Sequence, residues 1–172
     1  SLTVETALSN ATGTAFTPDG FQSGLPDGEG LALGDIDGDG NLDFVIEGNT
    51  TIYILPGDGT GAVGSPVQTS LPALDAFAVA DTDGDGADEV IVLLNDVIRI
   101  YSQAASSPTG TLDTANASQL EAPEGLDIAA ADLNRDGRAE IVLLTLFGDT
   151  VLYTDKADNT FDPSDPVFIG FP

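Results

Sequence analysis

The sequence predicts an all-β fold assembled from repeated β-hairpin units. Three observations carry that expectation. An acidic, glycine-turned segment recurs three times in register, each copy is flanked by short apolar runs rich in β-branched residues, and no stretch of the 172 residues shows convincing helical periodicity.

The copies align as Gly30–Ile46, Ala76–Val92 and Asp127–Leu143. Their first loop aspartates, Asp35, Asp81 and Asp132, stand 46 and 51 positions apart, a period that suits a four-stranded propeller blade. In each copy a run of small and apolar residues leads into the loop as a first strand. A second strand leads out at Phe44–Ile46, Val90–Leu93 and Ile141–Leu144. A third follows a Gly, Asn or Asp turn, at Thr51–Leu55, Val97–Tyr101 and Thr150–Tyr153. Each third strand holds one of the three tyrosines, Tyr53, Tyr101 and Tyr153, which are expected to pack within the blades with their hydroxyls wet. The stretches Pro56–Pro66 and Asp155–Pro166 read as turns before a frayed outermost fourth strand, because an edge tolerates proline.

At the N-terminus, Leu2–Leu8 and Ala15–Pro26 match the third and fourth strands of a blade that lacks its first two. The expectation is therefore a partial β-propeller of about three and a half four-stranded blades. Its divisions are 1–28, a half blade or a donated strand, then blades at 29–74, 75–124 and 125–172. A partial ring leaves open sheet edges and an uncovered core wall, which another copy, another domain or a swapped strand would cover.

Composition narrows the chemistry. The 29 acidic residues face only Lys156, Arg99, Arg135 and Arg138, for a formal charge of −25, a field that repels nucleic acid and anionic lipid and draws cations. Cys, His, Met and Trp are all absent, which excludes disulfides, thiolate and imidazole metal sites and Cys or His nucleophiles, and disfavours zinc and haem. No apolar run approaches the roughly 20 residues of a membrane span, so no membrane insertion is expected. No basic-then-apolar leader is present, and the chain opens on Ser1, as a processed or trimmed chain or a deliberately chosen start would. Abundant Ala, Thr, Ser, Gly and Asp with a single Lys fits a secreted or surface-exposed prokaryotic protein, and equally an adaptation to high salt. Asn10, Asn49 and Asn116 match the glycosylation acceptor pattern, read as chance in a chain so rich in Thr and Ser.

Counted from its first aspartate, each loop has an oxygen donor at alternate positions. Position 1 is Asp35, Asp81 or Asp132; position 3 is Asp37, Asp83 or Asn134; position 5 is Asp39, Asp85 or Asp136; position 9 is Asp43, Glu89 or Glu140. Position 6 is always glycine, at Gly40, Gly86 and Gly137. Alternating oxygens on a tight loop converge on one centre, and calcium takes six to eight oxygens at about 2.3–2.6 Å. The backbone carbonyl at position 7, from Asn41, Ala87 or Arg138, offers one more. Magnesium fits less well, since it keeps its waters and takes few protein ligands.

An EF-hand loop begins similarly but ends with a bidentate Glu at position 12, where this chain has Ile46, Val92 and Leu143. An acidic residue at position 9 followed at once by a strand instead resembles the calcium hairpin loops of the FG-GAP or VCBS-type repeats, found in the propellers of integrin α-subunits and in bacterial surface proteins. The resemblance spans roughly residues 15–172 and implies three calcium sites, with ligands at positions 1, 3, 5, 7 and 9 of each loop. The third loop departs from the pattern with Asn134, and with Arg135 and Arg138 beside the site, so its calcium should be held least tightly.

The expected role is an extracellular calcium-rigidified structural or adhesive module that associates with itself, as a ring or a filament, through its incomplete blade. Leu2–Leu8 is the candidate donated strand. The alternative is a glycan- or protein-binding module of a larger surface protein. Phe16, Phe21, Phe147 and Phe161 are the few aromatics available for such contacts, although edge-strand packing is the expectation for them. Glycoside chemistry through paired carboxylates is disfavoured, and no enzyme activity is expected. The remaining acidic cluster, Asp155, Asp158, Asp162 and Asp165, lies in a Pro-rich turn without an apolar pocket.

Overall fold

Among the described residues of the computed structural model, every regular element is a β-strand. The structure describes residues 2–9, 16–25, 28–105, 110–153 and 167–169, with the backbone alone for the first two segments, for Glu29 and for the last segment. The cluster Asp155–Asp165, Asn10 and the side chains of Phe16, Phe21 and Phe161 lie outside the described residues.

Strands β1 (Leu2–Ser9) and β2 (Phe16–Leu25) form a two-stranded antiparallel sheet. Three four-stranded sheets follow, each a simple antiparallel meander. The first is β3 (Gly28–Gly34), β4 (Asp43–Gly48), β5 (Thr51–Leu55) and β6 (Val67–Ser70). The second is β7 (Ala76–Ala80), β8 (Glu89–Leu94), β9 (Val97–Tyr101) and β10 (Ser118–Glu121). The third is β11 (Gly125–Ala131), β12 (Glu140–Thr145), β13 (Thr150–Tyr153) and β14 (Val167–Ile169). Three four-stranded blades and a two-stranded half unit are the partial propeller the repeat period implied. Each acidic loop joins the first two strands of its blade.

The blades stack face to face through two apolar layers. Between the first and second, Val45, Ile52 and Ile54 meet Val90, Val92 and Tyr101. Between the second and third, Ile91, Leu93, Ile98 and Ile100 meet Ile128, Ile141, Leu143, Val151 and Tyr153. The second blade is covered on both sides, so β8 is buried at every position from Glu89 to Leu93. The third is covered on one side, and β12 alternates: Ile141 and Leu143 are fully buried, while Val142 is half-buried and Leu144 is 41% exposed. On the far side of the first blade, Leu31 and Leu33 of β3 are exposed in the same way.

Close approach of the first strands depends on small residues. A Cβ at Gly30 would lie 2.6 Å from a ring carbon of Phe77 in the next blade. The tyrosines pack as expected, with one correction. Tyr101 and Tyr153 are buried, but the Tyr153 hydroxyl is not wet: it donates to the Glu121 carbonyl at 3.3 Å. Phe147 also departs from expectation, since it is 83% exposed in the β12–β13 turn and packs on no edge strand.

Candidate metal centres

Each loop is wound by its own side chains. In the first, Asp35 accepts the N–H of Asp39 at 3.0 Å and of Gly40 at 2.8 Å, Asp37 accepts that of Asp39 at 3.1 Å, and Asp39 accepts that of Asn41 at 2.8 Å. The second repeats this. Asp81 accepts from Gly86 at 3.0 Å, Asp83 from Asp85 at 3.0 Å, and Asp85 from Ala87 at 2.8 Å. So does the third, in which Asp132 accepts from Gly137 at 3.0 Å, Asn134 from Asp136 at 2.8 Å, and Asp136 from Arg138 at 3.0 Å. These are successive Asx turns, the local bonding that makes Asp and Asn favour such positions.

Glycine is required at position 6 by the backbone and not by space. Gly40, Gly86 and Gly137 have φ of 89°, 94° and 92°, and a Cβ on any of them would meet nothing within 4 Å. Position 4 is also left-handed, at Gly38, Gly84 and Arg135, where Arg135 adopts φ 68° without being glycine.

The winding turns one carboxylate oxygen from each of Asp35, Asp37 and Asp39 inward, all within 4.8 Å of one another, and does the same for Asp81, Asp83 and Asp85. Each group could hold a metal ion. Carboxylate oxygens, with no imidazole, thiolate or thioether in the composition, suit hard cations. Position 9 stands outside the triads, at the base of each loop. Asp43, Glu89 and Glu140 are 0%, 2% and 2% exposed, and each accepts the N–H of position 2, from Ile36 at 3.0 Å, Thr82 at 2.8 Å and Leu133 at 2.8 Å. Asp43 accepts a second N–H from Gly57 at 2.8 Å, and Glu89 the Thr82 hydroxyl at 2.7 Å. Position 9 thus ties the base of the loop to its own strand, with lone pairs to spare on each carboxylate.

The third loop differs electrostatically. The Asn134 amide donates to Asp136 at 3.0 Å and to Glu140 at 2.7 Å, and the Arg138 guanidinium reaches Asp136 at 3.3 Å. A neutral amide and a cation therefore stand among the carboxylates of this loop. In the first two loops, burial pushes the Asp37 and Asp83 carboxyls upward; the N–H groups of Asp39 and Asp85 pull back, and the neighbouring aspartates add to the rise. Asp136 moves the opposite way. Desolvation would raise it, but the Asn134 amide, the Arg138 N–H and the Arg138 charge together hold it below the usual carboxylate value. Loops one and two carry repulsion that a cation would relieve, whereas loop three supplies its own relief. Burial pushes Glu89 furthest, to about 7, against the bonds from Thr82.

The family model of the FG-GAP-like repeat matches residues 35–92 and 81–143. Each match runs from one acidic loop into the second strand of the next blade. The chain belongs to the FG-GAP-like repeat family. A comparison with curated proteins gave no match. Among solved structures, the chain is similar to one in the crystal structure of TcdB2-TccC3-Cdc42, at 24% identity and a TM-score of 0.50 over 66% of this chain and 6% of that one. It also aligns with a chain of a mutant Tc holotoxin pore of Photorhabdus luminescens at 15% identity and a TM-score of 0.45, over 99% of this chain and 11% of that one. The first likeness shows the repeat fold. This FG-GAP-like chain spans a small part of the length of either.

Within the FG-GAP-like loops, the ligand pattern omitted three contributors. Gly57 and Thr82 hold the position 9 carboxylates, and Asp88, at position 8, bonds across to the first loop. Gly57 and Thr82 carry no signal in the alignment. Asp88 does: its counterparts are Leu42 and Ala139, so an acid there is specific to the second loop.

Proposed function

We propose that this chain is a calcium-braced repeat module of a secreted or surface protein, with a structural and adhesive role and no catalysis. The observation that carries it is the pair of aspartate triads, each preassembled by backbone hydrogen bonds with one carboxylate oxygen from each residue within 4.8 Å of the others. Calcium at Asp35, Asp37 and Asp39 and at Asp81, Asp83 and Asp85 would complete its shell with the carbonyls of Asn41 and Ala87 and with Asp43 and Glu89. The third loop would bind more weakly through Asp132, Asn134, Asp136, Glu140 and the Arg138 carbonyl. Each dication offsets two of the 25 net negative charges and locks a hairpin whose two strands lie in the core.

Among the described residues no helix is long and apolar enough to cross a membrane. The exposed Leu31 and Leu33 on one outer face, and Ala129 and Leu144 on the other, support association through those blade faces, with a second copy or with another surface protein. The exposed Phe147, beside Leu146, favours a protein- or glycan-binding role as the second reading. Calcium titration by calorimetry, with thermal melts in calcium and in excess chelator, tests the first. Two tighter sites, one weaker site and a melt raised by calcium are expected; a melt indifferent to chelator would exclude metal bracing.

A further inference from the structure

The acidic loops stand in a row, and one residue outside the ligand positions links the first two. Asp88 donates its N–H to the Asp35 carbonyl at 2.7 Å, and its Oδ2 accepts the Asp35 N–H at 2.8 Å. Both backbone groups of the first residue in loop one are thus held by loop two. The next junction has half of this arrangement. Ala139 donates to the Asp81 carbonyl at 2.7 Å but has no carboxylate to return the bond.

The space for Asp88 is provided in the sequence. A Cβ at Gly34, the residue before Asp35, would lie 2.7 Å from Asp88 Oδ2 and would also run into Val79. Loops two and three have Ala80 and Ala131 at that place. Glycine before position 1 occurs only at the junction whose following repeat carries both Val79 and Asp88, and it makes room for both side chains.

Resting on the calcium reading above, we propose that Asp88 is a positioning residue that couples occupancy of loop two to the affinity of loop one. Asp88 lies between Ala87, whose carbonyl is offered at position 7, and Glu89, at position 9. Ordering of loop two by a cation fixes the residues on either side of Asp88 and so fixes its carboxylate. That carboxylate sets the main chain of Asp35, from which one triad oxygen projects. Linkage makes the effect reciprocal, and the one-bond junction between loops two and three should couple less.

The test is a calcium titration of the full chain followed by the amide resonances of Gly40, Gly86 and Gly137, one in each loop. In Asp88→Ala the Gly40 midpoint should rise about tenfold, a typical size for a coupling of this kind, with Gly137 unmoved. Asp88→Asn, which keeps an oxygen acceptor, should retain most of the affinity. Disabling loop two with Asp83→Ala should raise the Gly40 midpoint in the natural background and leave it unchanged in Asp88→Ala. A Gly40 midpoint indifferent to Asp88→Ala while all three amides still titrate would overturn the coupling and leave the calcium reading standing. Equal displacement of all three midpoints would overturn it as a general loss of folding. If no loop glycine of the natural chain responds to calcium, the calcium reading itself fails, and the coupling with it.

Discussion

Asn134 donates its side-chain amide to Glu140 at 2.7 Å, across the place where loops one and two bring acidic oxygens together. That bond exists because position 3 of the third loop is an amide and not an acid, and it leaves Glu140 and Asp136 satisfied without metal. Asn134→Asp should therefore act in opposite senses on two states. The metal-free protein should lose stability, about 1 kcal/mol, as two hydrogen bonds give way to like-charge contacts. Calcium affinity at loop three should rise about tenfold, each 1.4 kcal/mol being a factor of ten. Thermal melts in chelator, and the Gly137 amide titration, read the two effects separately.

Glu89 sets a pH dependence for the metal-free protein. Burial raises its carboxyl from 4.5 when unfolded to about 7 when folded, so between those values the folded chain binds the extra proton. Stability from this group is full below about pH 4.5 and is lost as pH rises through about 7. Asp37, Asp43, Asp83 and Asp88 are raised as well and add to the same trend. In chelator, the melting temperature should fall as pH is raised from about 5 to about 8. Glu89→Gln should flatten that slope, and an unaltered slope in the variant would contradict the assignment.

The left-handed positions in the loops separate backbone cost from steric cost. Gly86→Ala places a Cβ in open space at φ 94°, so its penalty should be conformational, about 1–2 kcal/mol, and equal to that of Gly40→Ala. Arg135→Gly should run the other way. It relieves a non-glycine residue at φ 68° and keeps the N–H that bonds Asp132 at 2.6 Å, which outweighs the loss of an exposed cation beside the third loop. A gain of about 0.5–1 kcal/mol is expected by urea unfolding.

Adjacent residues of β12 should respond unequally to truncation. Leu143 is fully buried against the second blade, and Leu143→Ala should cost about 2–4 kcal/mol. Leu144 points to the uncovered face, and Leu144→Ala should cost under about 1 kcal/mol in a monomer. If that face associates with a second copy, Leu144→Ala should instead weaken assembly, read as native mass by light scattering.

Most of the fold could be read from the chain alone. The third strands lie at Thr51–Leu55, Val97–Tyr101 and Thr150–Tyr153, because β-branched runs bounded by Gly, Asn or Asp turns leave little choice of register. The loop aspartates were equally plain, since Asx turns and a left-handed glycine depend on neighbours within five residues. What the chain did not reveal depends on residues distant in sequence or on which face of a blade is covered. Val142 and Val92 look alike in the sequence, yet Val92 is sealed by the first blade and Val142 is half-buried.

The sequence by itself determined the repeat, its strands and the turning of three acidic loops, since all of these are short-range consequences of side-chain size, branching and local hydrogen bonding. Only the tertiary structure decided that position 9 is buried and tied to position 2, that Asn134 and Arg138 quench the third loop, and that Asp88 reaches Asp35 across 53 residues of chain. Those relationships require two blades or two strands to be brought into contact, and it is the apolar layers between blades that set the distance at which their polar loops meet.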